Sequence, residues 1–265
     1  MPDLSKTAPL SRHPSDAIKA LTSSQVDFLR ALPKAELHAH LNGSIPLPVL
    51  QQLGREYVPS ETDSDSALLE IQSGIEKLQN IAEYDDAQAW FDLFLAIYAL
   101  TSTKEALARV TKAVLAEFLE PKSGEEYPQA TYLELRSTPR KTAAMTRQEY
   151  VEIVLDEVEK YRPDQAALIV SLDRRMSKEV AHECVEVAIA LKNNGRRVVG
   201  VDLCGYPTVS SPRLLRLAAQ FLLQSRQVTW NSLGAISWLP KPLVWASHST
   251  LLRFTSIFFF ANWPL

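Results

Sequence analysis

The chain has 265 residues, 46% of them hydrophobic, with a formal charge of −3 and two cysteines. That suffices for one large α/β domain or two small ones, and it argues against a nucleic-acid partner and a disulfide framework, in keeping with a reducing compartment. The opening stretch, with Asp3, Lys6, Arg12, His13 and Asp16 scattered through it, offers no apolar core for a signal peptide, so the expectation is a cytoplasmic protein with no membrane anchor.

In chain order, residues 1–22 read as a polar, flexible leader. Ser23 or Ser24 can cap a short helix over residues 25–32, which Pro33 closes. Residues 33–45, PKAELHAHLNGSI, then form a strand ending in a turn. Glu36, His38 and His40 alternate with Leu37, Ala39 and Leu41, so both imidazoles leave one face of the strand and can meet one metal ion. Three such polar side chains on one face are costly to bury without partners or a cation, and neutral imidazole suits zinc.

A helix follows through Leu47, Val49, Leu50 and Leu53, and then an acidic, Ser-rich loop at residues 60–66. Helical periodicity returns through Trp90, Leu93, Phe94 and Ile97 and again over residues 106–118. Next come a strand at 132–136, a helix at 147–161, a strand at 167–172, a helix at 178–193 and a strand at 198–203. Strands alternating with amphipathic helices imply a parallel sheet, either a barrel or a doubly wound sheet. The charges Glu152, Asp156, Glu157 and Glu159 read as a solvated helix face, and His182 beside Glu183 as helix surface, since no second His follows at metalloprotease spacing. Gly200 and Gly205 fit no phosphate-cradling pattern; they mark either a tight strand end or close backbone approach to a ligand.

Charge is unevenly distributed. All 31 acidic residues lie at or before Asp202, where 23 basic residues accompany them, whereas residues 203–265 hold five basic residues and no acid, together with four of the five tryptophans. A soluble enzyme surface normally mixes both signs. Residues 206–265 are therefore expected to be a tail of different origin, disordered or aberrantly packed.

The run PKAELHAHLNGSI resembles the opening motif of the adenosine and AMP deaminase family, and Asn42 resembles the adenosine deaminase-like branch that acts on N(6)-methyl-AMP. Three later blocks agree in order: YLELRSTPR at 132–140, IVSLDRR at 169–175 and VVGVDLCG at 198–205. The resemblance covers about residues 24–205 and implies an α/β fold: the first four βα units, roughly half, of a (β/α)8 TIM barrel, with residues 23–205 as that half-barrel.

In the family, zinc held by two first-strand histidines, a later His and a later Asp activates the water that attacks the purine carbon bearing the amine. The resemblance places His38 and His40 as the first two ligands, with His40 bordering the substrate. It implies a purine nucleoside monophosphate or nucleoside as partner, and it assigns nucleotide contacts to Asn42, Ser137, Thr138, Pro139, Arg140, Asp173 and Gly205. Tyr98 stands where the family carries a His in the helix before Leu100-Thr101-Ser102. Asn42 replaces an Asp whose ionised carboxylate would repel a 5′-phosphate.

After Gly205 the family continues Asp-Pro, whereas this chain has Tyr206-Pro207. No His-Ala-Gly-Glu and no Asp-Asp pair follows, and His248 is the only later His. The resemblance thus leaves two of four zinc ligands and neither the Glu proton donor nor the hydroxide-stabilising His. The expectation is a deaminase-type zinc hydrolase, truncated and inactive as it stands, monomeric if folded. The alternative is a catalytically silent product of altered splicing or reading frame that retains at most nucleotide binding.

Overall fold

A computed structural model describes residue 19 and residues 21–59, 65–80 and 93–205. Most of the expected leader, the loop at 60–64, the periodicity around Trp90 and the whole of 206–265, including His248, lie outside the described residues. The elements are α1 (Ser23–Ala31), β1 (Ala35–His40), a 3-10 turn (Leu41–Gly43), α2 (Leu47–Glu56), α3 (Asp65–Asn80), α4 (Phe94–Leu100), α5 (Lys104–Leu119), β2 (Tyr132–Ser137), α6 (Arg147–Val158), β3 (Ala166–Asp173), α7 (Lys178–Asn193) and β4 (Val198–Cys204).

Local chemistry sets the helix starts. The side chains of Thr103, Thr146 and Ser177 accept from the backbone N–H of Ala106, Glu149 and Val180, ahead of α5, α6 and α7. The cap of α1 is Thr22, not Ser23 or Ser24: Thr22 accepts from Gln25 N at 3.3 Å while Gln25 Oε1 accepts from Thr22 N at 2.9 Å. A reciprocal box satisfies two helix-end donors, which a Ser one position later cannot do with Gln25. Helix α3 was not foreseen, because an acidic, Ser-rich start masked its buried stripe of Ile71, Gly74 and Leu78.

The four strands are all parallel, in the order β1-β2-β3-β4. Among the described residues chain order and space order agree, without the reversal of strand order that a doubly wound sheet requires. The two sheet faces differ sharply. Leu133, Leu135, Leu168, Val170, Leu172, Val201 and Leu203 join the helices in one buried core, each side chain of this size contributing about 1.5–3 kcal/mol. The opposite face carries His38, His40, Glu134, Arg136, Ser171 and Asp202. An apolar outside packed on helices and a polar inside are what part of a (β/α)8 barrel presents, and the fold is of that kind.

The solvated face expected on α6 holds only in part. Glu157 is buried, and Asp156 and Glu159 both bind Arg196, which fastens α6 to the segment entering β4. His182 does lie exposed on α7, 3.7 Å from Glu186. Among the described residues no helix is long and apolar enough to cross a membrane.

Candidate metal and nucleotide site

The site begins with an irregularity in β1. The β1–β2 register shifts between Glu36 and Ala39, and Glu36 turns its carboxylate onto the His38 N–H at 2.7 Å. The Leu37 carbonyl accepts from Arg136 Nε at 3.1 Å and Nη2 at 2.7 Å. The remaining nitrogen, Nη1, donates to Asp202 Oδ2 at 2.6 Å. One guanidinium therefore ties β1 to β4 across the inner face, with its partners fixed by planar fork geometry.

Above this clamp stand the two histidines. Their ring centroids are 5.3 Å apart, as expected for alternate residues of one strand. Asp202 joins them: the ligating atoms of His38, His40 and Asp202 all lie within 4.8 Å of one another. His38 is exposed, His40 half-buried and Asp202 buried. Burial, helped by Arg136, pushes the His38 pKa down; burial also lowers that of His40, with His38 and Arg136 adding to it and Asp202 opposing. Both rings are thus held in the neutral form that offers a lone pair to a metal.

Asp202 Oδ1 has no hydrogen-bond partner among the described residues although it is buried. Two neutral imidazoles and a carboxylate with one unsatisfied oxygen fit a zinc-type cation. Arg136 was missed as a site residue, and Asp202 was left outside the assigned ligands. The signal was a single acid inside the apolar strand VVGVDLC and a single Arg inside YLELRS, since neither residue type is buried unpaired.

Most of the expected nucleotide contacts fall into two groups. Buried Asn42 donates from Nδ2 to Thr101 Oγ1 at 3.4 Å. Arg140 donates to the same hydroxyl at 2.7 Å and to the Tyr98 carbonyl at 2.9 Å, with its guanidinium 4.5 Å from the centre of the Tyr98 ring. Its Nε is buried with no hydrogen-bond partner among the described residues. Tyr98 itself is kept protonated, burial raising its pKa against the lowering effect of Arg140.

A second group surrounds Gly205. Asp173 accepts from Arg175 Nη2 at 2.7 Å, and although burial works upward on its pKa, the Arg175 bonds hold it below the usual range. Gly205 has φ +91°, and a Cβ there would sit 2.8 Å from Asp173 Oδ1. The strand end turns tightly at Gly205, and the close approach there is to the Asp173 side chain. Thr138 lies 3.6 Å from Cys204 Sγ, a thiol pushed up to about 12 by burial and the nearby Asp202 and therefore unreactive.

Ser137 belongs to neither group. Its hydroxyl meets Tyr150 Oη at 2.9 Å in the layer between the sheet and α6. Pro139 is buried beside it in sequence. The structure brings Asn42, Tyr98 and Arg140 together and Thr138, Asp173 and Gly205 together, and it turns the Ser137 side chain away.

Comparison with known proteins identifies the family and the fold. The profile of a family described as adenosine deaminase matches residues 33–221, extending beyond Gly205. The chain is 34% identical to the N6-methyl-AMP deaminase of Homo sapiens, over 71% of this chain and 50% of that protein. It is 32% identical to the adenosine deaminase-like protein of Drosophila melanogaster, over 68% of this chain and 50% of that one. The apo N6-methyl-AMP deaminase of Arabidopsis thaliana superposes with a TM-score of 0.57 at 27% identity, over 74% of this chain and 56% of that chain. An Arabidopsis relative complexed with GMP gives 0.57 at 28%, over 75% and 57%. The chain spans about half the length of the curated relatives it matches.

Proposed function

Because the chain belongs to the adenosine deaminase family, we propose that its fold serves zinc-dependent hydrolytic deamination of a purine nucleoside monophosphate or nucleoside: N(6)-methyl-AMP, AMP or adenosine. The observation that carries the reading is the convergence of His38, His40 and Asp202 at the inner face. When bound, zinc would lower the pKa of a water so that hydroxide forms near neutral pH. His38 and His40 present neutral nitrogens to it, and His40 also borders the base.

Asn42, Tyr98 and Arg140 form the end that receives the 5′-phosphate, where an amide and a guanidinium favour an anion. Thr138, Pro139, Asp173 and Gly205 border the nucleotide on the other side, and Ser137 contributes through its backbone. Support for a nucleotide comes from solved relatives in complex with IMP and with GMP.

The 265-residue chain, in this reading, binds metal and nucleotide but does not turn over. With no acidic residue after Asp202, the Glu proton donor and the late zinc-binding Asp of the family have no counterpart in it. It acts as a cytoplasmic monomer, with residues 23–205 as the half-barrel.

The test is chromatography of N(6)-methyl-AMP, AMP and adenosine after incubation with the zinc-supplemented chain, beside calorimetry with IMP. Binding of IMP with no product is the expected result. Turnover that disappears in His38→Ala would refute inactivity, and failure to bind IMP would refute the nucleotide site.

A further inference from the structure

Asp202 is a buried carboxylate of which only half is accounted for. Arg136 Nη1 holds Oδ2 at 2.6 Å. Oδ1 is buried with no hydrogen-bond partner among the described residues. Leaving a charged acceptor unsatisfied costs more than the roughly 1–3 kcal/mol of a neutral one, and the side chain cannot turn away, because that would break its contact with a guanidinium that is itself sealed from solvent.

The surroundings of the Asp202 carboxylate are informative. The donor atoms of His38 and His40 lie within 4.8 Å of a carboxylate oxygen of Asp202. In a tetrahedral zinc site with bonds of about 2.0–2.2 Å the ligating atoms stand about 3.3–3.6 Å apart. A contraction on the order of 1 Å would close the cluster, within the reach of side-chain rotations at exposed His38 and half-buried His40. Two imidazoles and one carboxylate form a three-ligand set that leaves a fourth position open, as water-activating zinc sites do. The negative charges of Glu36 and Asp202 beside the rings offset the positive charge of Arg136.

We propose that Asp202, through Oδ1, is a third protein ligand for a divalent cation of the zinc type held by His38 and His40, its orientation set by Arg136. This rests on the reading that the two histidines bind the ion, and it makes the described half-barrel a metal site without residues from later strands. A carboxylate held through one oxygen by an arginine and through the other by a cation has both oxygens engaged, which answers the orphaned oxygen.

The experiment is titration of the full chain with Co2+, following its visible absorption bands, and with Zn2+ against a chromophoric chelator. Wild type, Asp202→Asn and the double variant H38A/H40A are compared, with near-ultraviolet circular dichroism reporting folding. One ion per chain in wild type, none in H38A/H40A and at least ~10-fold weaker binding in Asp202→Asn is the expected result. Equal affinity in wild type and Asp202→Asn overturns the role of Asp202 and leaves the histidines as ligands. Absence of binding in wild type, or binding indifferent to H38A/H40A, overturns the histidine reading and this proposal with it.

Should Asp202→Asn lose its fold, R136Q/D202N removes both buried charges together and carries the same comparison. The anomalous scattering of zinc-soaked wild-type crystals decides independently of any variant. A peak within bonding distance of Asp202 Oδ1 supports the assignment, and a peak on the imidazoles alone overturns it.

Discussion

Arg136 and Asp202 lie on strands separated by β3, yet their side chains meet at 2.6 Å across the inner face, and both are all but sealed from solvent. Arg136 spans the gap because it is long and because the shifted register of β1 presents the Leu37 carbonyl to its other two nitrogens. Removing one partner leaves a buried charge. Arg136→Met is expected to destabilise the chain by about 3–5 kcal/mol, whereas R136M/D202L should recover most of that loss. Urea unfolding of the two single variants and the double variant measures the coupling; additive losses would contradict it.

Gly205 is required twice over, by φ +91° and by the 2.8 Å approach to Asp173 Oδ1. Gly205→Ala should cost about 1–3 kcal/mol in stability and should weaken IMP binding by displacing Asp173 from Arg175. Chemical denaturation and calorimetry on the same preparation check both halves.

Asn42 donates to Thr101, whose hydroxyl also accepts from Arg140. Asn42→Asp places a carboxylate in the same network without changing shape. If the 5′-phosphate lies here, IMP affinity falls by ~10-fold or more while inosine affinity changes little, because only the phosphate meets the new charge at a few ångströms. Equal losses for both ligands would move the phosphate elsewhere.

Glu149 accepts from Lys104 Nζ at 2.6 Å and from the Thr146 N–H at 2.8 Å. The Lys104 bond first, then the backbone and hydroxyl of Thr146, lower its pKa from 4.5 to about 2. A carboxylate depressed in the folded state stabilises fully above its unfolded pKa and loses that contribution as pH falls through the folded one. Its effect should therefore be complete above about pH 4.5 and disappear toward about pH 2. Glu149→Gln should flatten this part of the stability profile, and Thr146→Ala should cost about 1 kcal/mol at neutral pH through loss of the helix cap. Unfolding midpoints measured from pH 2 to pH 6 test both.

Much of the molecule is legible in local sequence because local rules govern it. Period-two alternation marked β1 and short apolar runs marked β2, β3 and β4, and the 3.6-residue periodicity of α7 returned its bounds, Lys178–Asn193, without change. The same alternation put His38 and His40 on one face. It also held the orientation of Ser137, which shares the parity of Leu133 and Leu135 and so faces α6, where its hydroxyl meets Tyr150. Asn42, Arg140, Asp173 and Gly205 could be placed at strand ends, though not sorted into clusters.

Tertiary structure alone decided the rest. Which strands are neighbours, and in what register, follows from packing summed over the whole core, so no local pattern could bring Asp202 to histidines more than 160 residues earlier in the chain. The choice between a barrel and a doubly wound sheet likewise needed the space order of the strands. The irregularity in β1 that hands the Leu37 carbonyl to Arg136 is a response to partners on other strands. Residue types and their faces belong to the sequence, whereas the meeting of charges across a sheet belongs to long-range pairing, which only the folded chain enforces.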